Sequence, residues 1–258
     1  VAPDVDSCYL PHAVHSNVFK PAKSPEEIAQ VKEVRDAIFE RSTNNANPNK
    51  KIFFWNNRNA RRKQSGTLLW WFKEWLDKVG HDKATLVMHT DARDPHGQDL
   101  PHLITQLGIE DGQVLLSTNK VSPEELANLY RAADFTINIS DAEGFGLATL
   151  ESLSCGSPII VNMTGGLQEQ VTDGKNWFGW GIQPCSKAVI GSLQVPYIYE
   201  DRISQDDFEK TLDKALKLPK KRYDAMAKAG RQHVLDNYNF ENYERQWIKV
   251  IDDFVEKN

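Results

Sequence analysis

The chain has 258 residues, 40% hydrophobic and 10% aromatic, enough to bury a sizeable core in one large domain or two small ones. Its formal charge of −5 argues against a general nucleic-acid binder, and no run approaches the ~18 apolar residues of a membrane span. Its three cysteines, Cys8, Cys155 and Cys185, are odd in number and scattered, which argues for a reducing compartment and against a disulfide framework. A cytoplasmic setting is expected, with peripheral attachment of a longer chain to a membrane left open. The sequence starts at Val1 with no signal peptide in view, so it reads as a fragment or processed chain. There is no C-x-x-C pair and no H-E-x-x-H, and His12 and His15 are merely close in sequence, so spacing predicts no metal site.

The first structural signal is Ser24-Pro25-Glu26-Glu27, a capping box that predicts a helix start. "STNNANPNK" (42–50) reads as a loop. "KIFFW" (51–55) reads as a buried strand and "SGTLLWWFKEWLDKVG" (65–80) as an amphipathic helix ending at Gly80. Strands follow at 84–89, 113–117, 134–140 and 158–162. Helices lie between them at 99–108, at 122–133 behind a second capping box (Ser122-Pro123-Glu124-Glu125), and from about Gly146 to Cys155. Beyond residue 200 the pattern is helical, over 205–217, 219–237 and 239–256. Strand–helix alternation with short connections predicts an α/β fold: a Rossmann-like, doubly wound parallel sheet with right-handed crossovers, followed by C-terminal helices. Ligands in such sheets bind beyond the carboxyl ends of the strands. The stretches to inspect are therefore 56–63, 90–97, 117–121, 140–147 and 162–166.

Two of these stretches could carry chemistry. "NNRNARRKQSG" (56–66) places Arg58, Arg61, Arg62 and Lys63 at a carboxyl strand end, either as a solvated basic turn or as a grip on phosphate oxygens. The P-loop pattern is absent. "SDAEGFGLATLESLSCGSP" (140–158) holds Glu143 in a turn and Glu151 in the second turn of the following helix. Gly144 and Gly146 allow backbone N–H groups close to a ligand, and a helix N-terminus favours phosphate. A hydrolase pair needs its carboxylates roughly 5–9 Å apart across one bond, and the intervening helix makes that doubtful. Glu143 alone could be a plain turn residue, and Glu151 a solvated helix residue.

"EGFGLATLESLSCGSPII" resembles the signature of retaining glycosyltransferases of the GT-B fold, glycosyltransferase family 4 or "group 1" transferases, with Glu143 and Glu151 at the separation of the E-x7-E motif. The likeness covers most of the chain. "YLPHAVHSNVFKP" (9–21) is similar to the segment that leads into the family's donor-binding domain. Arg58 and Lys63 match the spacing of the Arg and Lys in G-R-L-x-x-x-K-G, "VSPEELANLYRAADF" (121–135) matches the helix before the motif, and "GGLQEQVTDGKNWF" (165–178) matches the segment after it. Asn57 and Gln64 stand where the family usually has glycine, and "DARDPHGQDL" (91–100) is longer and more polar than its counterpart.

The resemblance implies a single donor-binding domain over 1–258: a leading segment and first helix (1–50), a Rossmann-like core (51–200) and C-terminal helices (201–258). The N-terminal acceptor domain would lie outside this sequence. It also implies roles. Arg58 and Lys63 neutralise the diphosphate leaving group of a UDP or GDP sugar, and N–H groups around Gly144, Phe145, Gly146, Leu147 and Ala148 bind phosphate. Glu143 contacts the transferred sugar, Glu151 the ribose, Lys120 and Val121 border the base, and Gly165 and Gly166 close the pocket floor. No metal or other cofactor is required. The partners are a nucleotide-sugar donor, an unidentified acceptor (glycan, lipid or small molecule) and the missing domain, with no nucleic acid. A hexosyltransferase that is weak or inactive as an isolated domain is the leading expectation. A sugar-nucleotide epimerase of related fold and a non-catalytic nucleotide-sugar binding module stand beside it.

Overall fold

Both predicted capping boxes form, and they mark helices that flank the sheet. The computed structural model describes residues 7–42, 47, 49–194 and 196–257. The loop expected over 42–50 lies largely outside them, at 43–46 and 48. α1 (Pro25–Arg41) starts where the Ser24 hydroxyl accepts from the Glu27 N–H at 3.1 Å, while the Glu27 carboxylate accepts the Ser24 N–H at 3.2 Å. There follow β1 (Lys51–Asn56), a 3-10 turn over 61–63, α2 (Ser65–Val79), β2 (Ala84–His89), α3 (Leu100–Leu107), β3 (Val114–Ser117), α4 (Pro123–Ala132), β4 (Phe135–Asn138), α5 (Leu147–Cys155) and β5 (Ile159–Asn162). The expected elements over this span all appear, most with ends trimmed by a residue or two. α4 carries the second capping box, on Ser122 and Glu125.

Beyond β5 come α6 (Leu167–Val171), β6 (Gly179–Ile182), the antiparallel hairpin of β7 (Ser186–Ile190) and β8 (Ile198–Arg202), and helices α7 (Gln205–Leu216), α8 (Lys220–Asn237) and α9 (Phe240–Lys257). The three C-terminal helices match their expected spans closely. Within the span expected as the Rossmann-like core, β6 joins the main sheet, whereas β7 and β8 form a separate two-stranded sheet. Their side chains are mostly exposed, so no hydrophobic alternation announces them.

The main sheet is parallel throughout, in the order β3-β2-β1-β4-β5-β6. Alternate residues of β1 serve opposite faces, as strand geometry requires. Phe53 and Trp55 join a core with Leu68, Phe72 and Trp75 of α2 and Phe208 of α7. Ile52 and Phe54 join another with Tyr130 of α4, Leu150 and Leu153 of α5 and Val234 of α8. Strand order reverses between β1 and β4, so the loops leaving their carboxyl ends diverge and open a crevice. The leading segment is tied across one face. Arg131 donates to the carbonyls of Lys20 and Val18, and Arg231 to those of Phe19 and Ser16. His12 meets the ring of Phe145 edge-on at 4.9 Å, which brings this segment to the crevice. Among the described residues no helix is long and apolar enough to cross a membrane.

Candidate functional site

The two loops singled out by sequence meet at the strand-order reversal. Lys63, at the end of the 3-10 turn after β1, forms an ion pair with Glu143, in the turn after β4. Both side chains are more than nine-tenths buried. Burial pulls the Lys63 pKa down, against the Glu143 carboxylate that favours its charged form. Asn138 Nδ2 lies 3.4 Å from the same Glu143 oxygen. The backbones are clasped as well: the Asp141 N–H donates to the Arg62 carbonyl at 2.8 Å.

Glu151 is held apart from this pair. The Tyr130 hydroxyl donates to Glu151 Oε2 at 2.8 Å, and Asn56 Nδ2 donates to the Tyr130 oxygen at 2.8 Å. A relay therefore runs from the end of β1 through α4 to α5. Burial raises the Glu151 pKa to about 7, opposed by the Tyr130 hydrogen bond, and also pushes the Tyr130 phenol upward. No hydrogen bond reaches Glu151 Oε1 among the described residues. Between Glu143 and Glu151, α5 begins at Gly146, whose φ of 94° suits glycine and which offers no side chain to cap the first turn. Gly144 and Leu147 are exposed there, with Phe145 and Ala148 half-buried. The Phe145 carbonyl accepts from Gln170 Nε2 at 2.6 Å, fixing the turn against α6.

Gly165 and Gly166 lie against the same turn. The Gly166 N–H donates to the Glu143 carbonyl at 3.2 Å. A Cβ on Gly165 would collide with that carbonyl, and one on Gly166 would stand 2.6 Å from the Phe145 oxygen. Close backbone approach thus accounts for both glycines. Lys120 is exposed and Val121 half-buried on the loop between β3 and α4, immediately before the capped start of α4.

Arg58 stands differently from Lys63. Its guanidinium is largely exposed and engaged by Asp94 at 2.6 and 3.2 Å, with Nη2 also 2.7 Å from His96 Nδ1. This pairing holds the Asp94 carboxyl well below its ordinary range. The loop beneath is pinned by buried Asn59, which donates to the Gln98 carbonyl at 2.6 Å and accepts from the Ser65 hydroxyl at 2.7 Å. The long, polar stretch at 91–100 is therefore the partner of the basic loop.

Sequence reasoning missed a further set of contacts. Gln64 is the one non-glycine residue with positive φ among the described residues, at 57°. Its Nε2 donates to Asp141 Oδ2 at 2.5 Å. Burial raises the Asp141 pKa to about 6, opposed by that bond. Glu200 of β8, fully buried, pairs with Arg61 and with Arg202 at 3.4 Å, and the Asp201 N–H donates to the Asp141 carbonyl at 2.7 Å. The hairpin is thereby locked to both loops. An Asn at each of two strand ends was the available signal for Asn56 and Asn138. The Arg61–Glu200 pair spans 139 residues and leaves no local trace.

The profile of the family described as "Glycosyl transferases group 1" matches residues 36–233, well over half of the chain. A D-inositol 3-phosphate glycosyltransferase of Catenulispora acidiphila is 35% identical over 105 residues, which is 40% of this chain and 24% of that protein. Among solved structures, sucrose-phosphate synthase from Thermosynechococcus elongatus superposes with a TM-score of 0.69 at 20% identity, covering 96% of this chain and 53% of that one. The C-terminal domain of a glycosyl transferase group 1 family protein from Francisella tularensis gives 0.61 at 20% identity, covering 88% and 98% respectively. The chain thus spans about a quarter of the first relative and about half of the full synthase, and its fold is one half of the GT-B architecture.

Proposed function

Because the chain belongs to the group 1 glycosyl transferases, we propose that it is the donor-binding half of a retaining hexosyltransferase that uses a UDP- or GDP-linked sugar. The observation that carries this reading is the grouping of Lys63, Glu143 and Glu151 around the uncapped start of α5 at the strand-order reversal. An extended nucleotide-sugar has a sugar at one end, a ribose at the other and phosphates between, and this arrangement offers a polar partner to each.

In this reading Glu151 Oε1 accepts from ribose hydroxyls while Oε2 stays with Tyr130. The diphosphate lies along Gly144 to Ala148, where helix N–H groups and the dipole favour it. It competes for the Lys63 ammonium and so frees Glu143 for hydroxyls of the transferred sugar. Arg58 Nη1, which makes no hydrogen bond among the described residues, reaches a phosphate oxygen while Asp94 holds the other side of the fork. Lys120 and Val121 border the base, and Gly165 and Gly166 form the floor. As the glycosidic bond breaks, charge gathers on the departing diphosphate, and fixed cations beside a helix N-terminus stabilise it by preorganised electrostatics. The protein's own groups suffice for that, so no metal is needed. The acceptor attacks on the same face, its proton leaving to the departing phosphate. The acceptor site belongs to the other half of the enzyme, so this chain alone transfers poorly.

Titration with UDP, GDP and ADP, with and without a chelator, tests the reading. One nucleotide should bind, equally well with chelator, and Glu151→Ala should weaken it. No binding by any of the three to the folded chain would sink the proposal.

A further inference from the structure

A second cavity lies beside the clasp between the two site loops. It measures about 310 Å³. Gln64, Thr67, Trp70 and Trp71 line one side, from the start of α2, and Asp141 and Arg202 close the other, from the turn after β4 and the end of β8. None of Lys63, Glu143 or Glu151 lines it.

Three features set it apart from an ordinary surface groove. Trp70 is 48% exposed on the second turn of α2, where a solvated polar side chain would cost nothing. Trp71 rests on Phe208, 5.8 Å between ring centres, so its position is fixed from behind. The polar groups are only partly used. Asp141 Oδ2 accepts from Gln64 and lies 3.8 Å from Arg202 Nε, but Oδ1 accepts no hydrogen bond among the described residues. Arg202 reaches Glu200 through Nη2 at 3.4 Å, with other N–H groups left over.

These groups define a ligand class. The carboxylate and guanidinium oppose one another, so a charged ligand of either sign meets one repulsive partner. The volume is at the small end for ligand pockets, too small for a nucleotide-sugar. Gln64 is spent within the wall, donating through Nε2 to Asp141 and accepting through Oε1 from the Thr67 hydroxyl at 2.6 Å. Indole surface suits a flat apolar face, while the spare carboxylate oxygen and the guanidinium suit a ring of hydroxyls. We propose that this cavity is a second saccharide site, taking a neutral pyranose unit, separate from the donor crevice. Because Gln64 adjoins Lys63 and Asp141 lies two residues before Glu143, a sugar bound there would bear on the clasp that joins the two donor loops.

The test uses the whole chain with methyl glycosides of glucose, galactose and mannose, followed by saturation-transfer NMR and by shifts of the indole N–H signals. It is run with and without saturating UDP, GDP or ADP, so that its outcome is independent of the donor reading. One glycoside should bind saturably and keep binding with nucleotide present. Trp70→Ala, at a half-exposed position whose indole N–H donates to Glu74 at 3.0 Å, should weaken it about tenfold. Thr67→Phe, which fills the cavity, should abolish it, and circular dichroism reports whether either variant stays folded. The proposal fails if no glycoside saturates, if nucleotide displaces it, if only a nucleoside binds, or if folded Trp70→Ala binds as well as the parent.

Discussion

The two ends of the central sheet handle charge in opposite ways. At the amino end of the strands, Asp134 is fully used: it pairs with Arg35 and Lys51, each at 3.0 Å, and accepts the Ile52 N–H at 2.9 Å. At the carboxyl end, Lys63 and Asp141 are buried and Glu151 half-buried, with pKa values moved toward neutrality and with polar atoms to spare. The first arrangement joins α1, β1 and β4, and nothing about it invites a ligand. The second costs folding energy and leaves polar atoms without partners, the arrangement expected of a candidate binding site.

Removing Asp134 should show the largest effect and the purest structural one. Asp134→Ala leaves two half-buried cations unpaired and an orphaned backbone N–H, so we expect a loss of about 3 kcal/mol in urea unfolding. Nucleotide affinity, measured by calorimetry on the folded fraction, should stay within error. A parallel loss of affinity would break the division between the two ends.

Glu151→Gln should act with the opposite sign. The folded pKa of Glu151, about 7, lies above its ordinary 4.5. The chain is therefore favoured at low pH, and stability falls as pH rises from about 4.5 toward 7, levelling off above. The glutamine variant lacks that slope and should be more stable than the parent at pH 8 by roughly 2–3 kcal/mol, yet equal to it near pH 4. It should also bind nucleotide more weakly. Unfolding midpoints at the two pH values decide it: a variant equally destabilised at both would show that burial of this carboxylate carries no penalty.

Lys63→Met keeps the length of the side chain and removes its charge. Loss of one charge-assisted contact to a diphosphate should weaken binding by about thirtyfold, or about 2 kcal/mol. Arg58→Met should weaken it less, because Arg58 is exposed and already shared with Asp94 and His96. Equal losses would mean that the free-state pairing of Arg58 does not persist when ligand binds.

These contrasts also explain what could be read from the sequence. Ser24 and Ser122 announced α1 and α4 because a capping box is complete within four residues. "KIFFW" announced β1 because both of its faces are buried. Glu143 and Glu151 were visible because they share one short stretch, and Lys63 because its loop follows β1 directly. Tyr130 was not, since a core tyrosine on a helix looks the same whether or not its hydroxyl faces a carboxylate. The β7–β8 hairpin was hidden by its exposure, and Glu200 by its distance in sequence from Arg61.

Gln64 shows the smallest expected effect, and it separates the two strategies within one residue. Its backbone is left-handed, a conformation that costs a side-chain-bearing residue about 1–2 kcal/mol. Its amide holds Asp141, an interaction worth about 1–1.5 kcal/mol. Gln64→Gly relieves the strain but gives up the bond and adds freedom to the unfolded chain, so stability should move by no more than about 1 kcal/mol. Gln64→Ala keeps the strain and loses the bond, and should be less stable than the glycine variant by about 1 kcal/mol. In both, loss of the amide donor should carry the Asp141 pKa above its present value of about 6, which carboxyl carbon shifts in NMR would follow. If alanine and glycine prove equally stable, the left-handed turn is not maintained without Gln64. The clasp with Asp141 would then be what shapes the loop that carries Lys63.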